Sequence, residues 1–408
     1  MRKRDYIGMN VYWFGLAFLW NGLHPIILPA MLLGFVPEAL KNTYLGSLTF
    51  GGLILAMVIQ PLAGALSDRT RSRWGRRRPW ILLGVILTLI VLAIMARASS
   101  LGVLILTYIL LQLVSNTAHG PAQGLIPDLV PQERHGLAAG IKNLFEMSGL
   151  IVTSLVAGKL MSDGNAALAL TVTGVVVAAT ALVTLVGTPE APASSAGGPA
   201  AVQALRETLR VDLSRAPGYA RLLVSRFLIL LGIYAVQAFA QYYIRDRLQV
   251  PDPAAVTGNL MATIGLALTV LVFPAGYLSD RFGRLRLNQL AGILAALGVL
   301  MLIPIRTVPP LYIAGTIIGA ATGIFLSVNW ALATDMIPRD EAGKYLGLSN
   351  LATAGAGAAS RLGGPLIDGL NALRPGVFLG YPALMLLAAL SIAVGTWLAN
   401  RLSRIAYR

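Results

Sequence analysis

The chain has no cysteine among its 408 residues, three histidines, and only 12% charged side chains. Without cysteine there is no disulfide and no thiolate metal site. Three histidines alone form no ligand cluster and no phosphate-cradling glycine loop occurs, so no metal, nucleotide or other cofactor is expected and no enzyme motif stands out. Acidic residues number 17 against 32 Lys and Arg, a formal charge of +15. Apolar residues, by contrast, make up 56%, and mean hydropathy is +0.72. A soluble protein of this length could not hide so much apolar surface in one or two cores. Most of the chain must therefore lie in lipid, which satisfies no backbone N–H or C=O and leaves only helices or a closed barrel. Apolar runs of about 20 residues or more suit helices crossing roughly 30 Å of hydrocarbon. The alternation that barrel strands need is missing. The expectation is an all-α membrane protein.

The basic excess does not point to nucleic acid. Arg2, Lys3, Arg4, the arginines from Arg69 to Arg78, Arg134, Lys142, Arg206, Arg210, Arg215, Arg281, Arg284, Arg339, Arg404 and Arg408 sit mainly in short loops between apolar runs. That is the positive-inside pattern, so both termini are expected in the cytoplasm of an inner (plasma) membrane protein. Met1 to Arg4 has the charge of a signal-peptide start, but the apolar stretch behind it is too long and lacks a clean cleavage site. It reads as the lead into the first helix.

Twelve transmembrane helices fit, at roughly 8–33, 44–66, 79–97, 102–125, 137–160 and 166–187, then 221–244, 256–278, 288–305, 309–333, 344–369 and 376–400. This divides the chain into six-helix bundles at 1–187 and 221–408, joined by a linker at 188–220. The linker begins Thr188-Pro189-Glu190 and is rich in Pro, Gly, Ala and Ser. From Ala201 to Leu213 its periodicity, with Arg206 and Arg210, predicts an amphipathic helix on the cytoplasmic surface.

Two internal repeats support two pseudo-symmetric halves. Gly64-x-Leu66-Ser67-Asp68-Arg69, followed by Gly75-Arg76-Arg77, returns as Gly276-x-Leu278-Ser279-Asp280-Arg281, followed by Gly283-Arg284. Asp128 to Pro131, then Gly136, Gly140 and Asn143-Leu144, returns at identical spacing as Asp335 to Pro338, then Gly343, Gly347 and Asn350-Leu351.

Gly64-x-Leu66-x-Asp68-Arg69 with Gly75-Arg76-Arg77 resembles the loop signature of the major facilitator superfamily. That superfamily's parallel repeats are related by an axis along the membrane normal. The fuller run from Ser67 through Arg73, Gly75, Arg76, Arg77, Arg78 and Pro79 to Ile81 resembles the sucrose transporters and the glycoside–pentoside–hexuronide:cation symporters. Arg71 to Gly75 with Pro79 to Leu82 is particularly similar to the melibiose-permease branch. The superfamily pattern covers the whole chain, whereas the sugar-transporter likeness rests mainly on residues 64–82. It implies a secondary transporter importing a sugar or glycoside by alternating access. Melibiose-type sodium symporters carry paired acids just before the proline matching Pro61; here Gly51 to Gln60 contains no carboxylate. Proton coupling or facilitated diffusion is therefore expected instead of sodium.

The resemblance assigns gating to Gly64, Asp68, Arg69, Gly75, Arg76 and Arg77, and to Asp280, Arg281, Gly283 and Arg284, with Asp128 and Asp335 at the paired junctions. Physically, Gly64 permits close helix approach. Asp68 can face a helix N-terminus or pair with an arginine such as Arg76. The competing reading is that these basic residues only set topology and bind anionic lipid.

The resemblance also places helices one, four, seven and ten around a cavity. Its candidate lining is Asn21 and His24, then Asn116, His119 and Gln123, then Tyr234, Gln237 and Gln241, then Asn329 and Trp330. Neutral amides and aromatics suit an uncharged polyhydroxylated solute; packing between helices is the alternative. Glu146 lies within the fifth helix one turn from Lys142, an i,i+4 pair. A carboxylate in low dielectric can load a proton near neutrality, so Glu146 is the candidate proton-coupling site, exchanging between Lys142 and Arg361, with Arg226 another counter-charge. A static pair is one alternative, and titration of His119 or His24 in place of Glu146 is another. The architecture needs no partner chain, so a monomer is expected. A drug or metabolite efflux antiporter, or a receptor that no longer transports, would share this fold.

Overall fold

The computed structural model describes residues 3–192, 213, 216, 218–338 and 342–401. Among them every regular element is a helix. Eleven are long and apolar enough to cross a membrane. These are α1 (Arg4–Leu32), α2 (Glu38–Asp68), α3 (Arg78–Met95), α4 (Leu101–Leu129), α5 (Gln132–Ser162) and α6 (Ala166–Gly187). They continue as α7 (Tyr219–Ala238), α8 (Pro253–Phe282), α9 (Arg284–Met301) and α10 (Val308–Met336), and end with α12 (Gly380–Asn400). The remaining span, α11, is broken into Ala342–Ala359, a 3-10 turn Ser360–Leu362, and Gly363–Leu373. Gly363-Gly364-Pro365 explains the break, because glycine weakens a helix and proline removes a donor. The region expected as the amphipathic helix over 201–213, and the side chains of Arg2, Arg206, Arg210, Arg215, Arg339, Arg404 and Arg408, lie outside the described residues.

Two π turns occur that the hydropathy pattern does not show, one within a span and one just past another. Leu23–Ile27 interrupts α1 where His24 precedes Pro25. Beyond α7, Ala240–Tyr243 runs into a second π turn, Ile244–Leu248, closed by Gln249 at φ 51°. Such turns widen the helix locally and re-aim side chains. Here the first re-aims His24 and the second Asp246.

The chain forms two compact units, Met1–Phe35 with Gly51–Arg206, and Val36–Phe50 with Glu207–Arg408. The opening turns of α2 thus cluster with the second unit. Within unit one, α1 packs on α5 and α6, and α3 packs on α4 and α6. Within unit two the same pairing recurs, α7 on α11 and α12, and α9 on α10 and α12. Outer faces carry exposed apolar stripes at helical spacing, such as Leu83, Ile86, Ile90 and Ile94, or Leu290, Ile293 and Leu297. A stripe of this kind suits lipid, not water.

Close helix approach rests on Gly120 rather than on Gly64. A Cβ on Gly120 would lie 2.2 Å from the Gln60 carbonyl oxygen, whereas one on Gly64 would meet only ordinary contacts at 3.8 Å. The bare backbone of α4 therefore seats directly on α2.

Candidate functional site

At the end of unit one that holds the repeated loop, Arg77 gathers the motif. It pairs with Asp68, lies 2.8 Å from Asp128 through Nε, and donates to Ser67 Oγ and to the Gly64 carbonyl at 3.0 Å. Gly124 leaves room for the guanidinium, since a Cβ there would stand 2.5 Å from its central carbon. Arg76 pairs with Asp128 at 2.6 Å. The aspartate partners are thus divided differently from expectation: Asp68 takes Arg77, and Asp128 takes both arginines.

The helix N-terminus expected to face Asp68 is instead capped by Glu190, a linker residue that sequence reasoning passed over. Its carboxylate accepts from the backbone N–H groups of Arg76 at 2.7 Å, Arg77 at 2.8 Å and Arg78 at 3.2 Å. Gly75, at φ 92°, turns the chain so that these donors converge, and a Cβ there would strike the Glu190 carboxylate carbon at 2.2 Å. An anion at the positive end of α3 is favourable both by charge and by hydrogen bonding. Glu190→Gln keeps one acceptor oxygen and loses the charge. We expect it to cost about 1–2 kcal/mol, read as a lower thermal midpoint in detergent; an unchanged midpoint would refute the cap.

Unit two repeats the bridge more simply. Arg284 pairs with Asp335 and with Asp280, the latter at 3.2 Å, and donates to the Ala331 carbonyl at 2.9 Å. Gly283 takes φ 92°, matching Gly75. Arg69 and Arg281 are exposed and join neither bridge among the described residues.

Deeper in unit one a continuous polar layer runs along one face of α4. Tyr108, Gln112, Asn116, His119 and Gln123 recur every three or four residues, the spacing of a helical stripe. Gln60 of α2 donates to Asn116 Oδ1 at 2.7 Å and lies 3.1 Å from His119 Nδ1. The Gln123 amide lies 3.2 Å from His119 Nε2. Both glutamines turn their Nε2 ends to the ring, and a neutral imidazole accepts at only one of its two nitrogens. Asn116 Nδ2 donates to Gln112 Oε1 at 3.1 Å, and Gln112 Nε2 donates to Tyr108 Oη at 2.8 Å. His24 Nε2 then lies 3.0 Å from that hydroxyl. Trp13 stands edge-on to His119 at 5.2 Å, and Trp20 stacks on His24 at 5.0 Å.

His24, Asn116, His119 and Gln123 are therefore brought together. Asn21 donates to the Ala17 carbonyl of its own helix at 2.9 Å instead. Sequence reasoning missed Gln60, Tyr108, Gln112, Trp13 and Trp20. The four-residue recurrence along α4 was the available signal for Tyr108 and Gln112. Gln60 is the node, and Gln60→Leu leaves Asn116 Oδ1 and His119 Nδ1 without their partner. Orphaning buried polar groups costs about 1–3 kcal/mol each. We expect a lower thermal midpoint in detergent; an unchanged midpoint would show that Gln60 does not hold the layer together.

Beside this layer Lys142 Nζ sits 2.9 Å from Glu146 and 4.0 Å from the Trp13 ring centroid. Arg361 belongs to the other unit, in the 3-10 turn of α11. In unit two, Arg226 is buried and donates to Asn329 Oδ1 at 2.7 Å and to Thr353 Oγ1 at 2.9 Å. Trp330 flanks the guanidinium at 5.9 Å. Asn329 reaches on to Asn288 at 3.4 Å. Tyr234 lies over Gly357, Gln241 is buried, and Gln237 lines a small apolar pocket with Tyr243, Met261 and Ile264. Asn329 and Trp330 are thus tied to Arg226, while Gln237 and Gln241 stand apart from it.

Unit two also holds a buried ionic network that no motif announced. Lys41 Nζ meets Asp246 Oδ1 at 2.8 Å, and Tyr381 Oη donates to Asp246 Oδ2 at 2.5 Å. Asp368 accepts from Asn42 Nδ2 at 2.8 Å and from the Thr43 N–H at 2.6 Å. Glu38 links the rim to Arg245 at 2.8 Å. No group of three or more His, Asp or Glu suited to a metal occurs among the described residues.

Residues 6–361 match the family model of the Major Facilitator Superfamily. The chain belongs to that superfamily. Proteins similar to stretches of this chain include sugar transporters by name. One is the Sucrose transport protein SUT1 of Oryza sativa subsp. japonica, 35% identical over 107 residues, or 21% of this chain and 20% of the relative. Another is Proton-associated sugar transporter A of Homo sapiens, 28% identical over 203 residues, or 44% of this chain and 26% of the relative. The match thus spans about a fifth of the rice protein and a quarter of the human one. Among solved structures, the nucleoside transporter NupG aligns with TM-score 0.73 at 13% identity, over 96% of this chain and 97% of that one. A bacterial homolog of the human lysosomal transporter Spinster aligns with TM-score 0.76 at 16% identity, over 98% of both chains. At such identities the likeness is one of fold, that of an integral membrane transporter; the family and the named relatives are transporters and not enzymes.

Proposed function

We propose that this chain is a secondary transporter that carries a sugar or glycoside across the inner membrane by alternating access, coupled to protons. The observation that carries the reading is the α4 polar layer: linked amides and imidazoles flanked by Trp13 and Trp20, with no carboxylate among its members. Amides donate to and accept from hydroxyl groups, and indole faces cover the C–H face of a sugar ring. The sugar names of the rice and human relatives support the same class. Repeat-built transporters of this architecture work by exchanging access between the two sides of the membrane. In that scheme both termini and the Arg77 and Arg284 bridges lie on the cytoplasmic side, as the basic loops require. The bridges would hold one gating state and open in the other.

Glu146 is the proposed proton carrier, releasing Lys142 when protonated and pairing with Arg361 in another state. The test is uptake of labelled mono- and disaccharides into proteoliposomes holding the full chain, with and without an inward proton gradient. Accumulation of a sugar that disappears when the gradient is collapsed supports the reading. Absence of uptake for the whole panel overturns it. Glu146→Gln is expected to abolish gradient-driven accumulation while sparing exchange of sugar down its own gradient; unchanged accumulation removes Glu146 from the coupling role.

A further inference from the structure

In unit one α3 and α6 pack together and leave an open groove of about 250 Å³ between them. One wall is Leu89, Leu92 and Ala93 of α3, and the other runs from Thr171 past Gly174 to Ala178 of α6. That second wall is about 10 Å long at the rise of an α-helix. Gly174 gives the groove its depth. A Cβ there would meet Leu89 at 3.5 Å and Leu92 at 3.8 Å, which are ordinary contacts. The glycine therefore leaves space, unlike Gly120, whose bare backbone is pressed against α2. The Thr171 hydroxyl, the one polar side chain of the lining, already donates to the Ala167 carbonyl at 2.8 Å. Ile90, Ile94 and Val175 are exposed alongside, so the groove opens on an apolar face that suits lipid.

Arg97 stands at one end of this groove. It follows the last residue of α3 by two positions, at the end of that helix away from the Arg77 motif, and it is exposed. Its Nη1 donates to the Ala93 carbonyl at 3.0 Å, so the guanidinium folds back onto the groove wall. Among the described residues it makes no ion pair, whereas Lys159 near the same end of unit one is matched to Asp163 at 2.6 Å. A cation after a helix C-terminus complements the macrodipole. That accounts for the bond to Ala93 and leaves most of the planar fork unused.

We infer that this groove is the binding site for one glycerophospholipid, with an acyl chain lying along Gly174 and the phosphate on Arg97. A narrow apolar groove ending at an unpaired cation matches that molecule in shape and in charge. The chain supplies the dispersion contacts that an unfilled groove forfeits, and the guanidinium fork engages two phosphate oxygens. A second copy of this protein is the competing occupant, since small residues favour helix contact. An isologous contact would set the same cationic patch against itself and leave Arg97 without an anion. The inference concerns a lipid partner and is independent of the solute carried.

The test uses the full chain, delipidated in detergent and titrated with phosphatidylglycerol, with diacylglycerol of the same chains, and with glycerol phosphate. Native mass spectrometry counts the bound molecules. Phosphatidylglycerol is expected to bind one per chain, with a Kd at least tenfold lower than that of diacylglycerol. Gly174→Leu fills the groove and should weaken phosphatidylglycerol at least tenfold. Ala93→Phe narrows the groove from an exposed position and should do the same, which keeps the test intact if Gly174→Leu misfolds. Arg97→Gln should bring phosphatidylglycerol down to the level of diacylglycerol. Equal phosphatidylglycerol binding in wild type and Ala93→Phe overturns the inference. Glycerol phosphate binding as tightly as phosphatidylglycerol gives Arg97 to free phosphate and overturns the lipid assignment. A wild-type dimer that Ala93→Phe converts to a monomer makes the groove an interface between copies and overturns it as well. None of these readouts involves a sugar, so a failure here leaves the transport reading untouched.

Discussion

Lys41→Met is expected to lower stability by about 3–5 kcal/mol, the cost of leaving a buried charge without its partner. Both side chains of the Lys41–Asp246 pair are 4% exposed, so solvent screens the interaction little. Methionine fills nearly the same volume, which confines the change to charge. Asp246 would retain Tyr381 as a donor and the partly exposed Arg245 guanidinium at 4.0 Å, and neither replaces the direct 2.8 Å contact with the buried Lys41 ammonium. The Lys41→Met, Asp246→Asn double variant removes both charges and should recover most of the loss. Unfolding in detergent measures all three proteins. If the double variant is no more stable than Lys41→Met, the loss comes from packing and the ion pair is not its cause.

Arg77→Ala should have the next largest effect, about 3 kcal/mol of stability and at least a tenfold loss of uptake. Arg77 is 7% exposed by side chain and stands between Asp68 and Asp128. Removing it leaves two carboxylates facing each other with only Arg76 to serve Asp128. It also frees the Gly64 carbonyl and the Ser67 hydroxyl. Arg77→Lys keeps the charge and loses the fork, so it should recover stability better than uptake. Thermal unfolding and proteoliposome uptake, run side by side, separate these outcomes. Wild-type uptake in Arg77→Ala would reduce the motif to a topology signal.

Much of the membrane architecture was legible in the chain because lipid imposes a one-dimensional rule. A helix must be apolar over its whole length, so composition and run length alone mark the spans. Loop signatures were legible for a similar reason, since Gly64 to Arg77 and Gly276 to Arg284 are contiguous and repeated. The repeat also brought Asp128 and Asp335 into view. Periodicity along α4 contained the polar stripe, although only its lower half was singled out.

What the chain could not show is which distant groups meet. Glu190 sits in a stretch whose composition reads as a flexible linker, yet the positive φ of Gly75 aims three backbone donors at it. Asp368 and Asn42 are separated by 326 positions, and only the packing of α11 against the opening of α2 joins them. Hydropathy treats Lys41, Asp246 and Arg226 alike, as isolated charges near spans. Tertiary structure distinguishes them: Lys41 and Asp246 neutralise each other, while Arg226 keeps its charge among neutral acceptors. The sequence by itself determined the solvent, the spans and the repeated loops, because each is a local property of side chains and their order. Tertiary structure decided pairing, capping and the unmet charge, because those depend on distances across the bundle that no local pattern encodes.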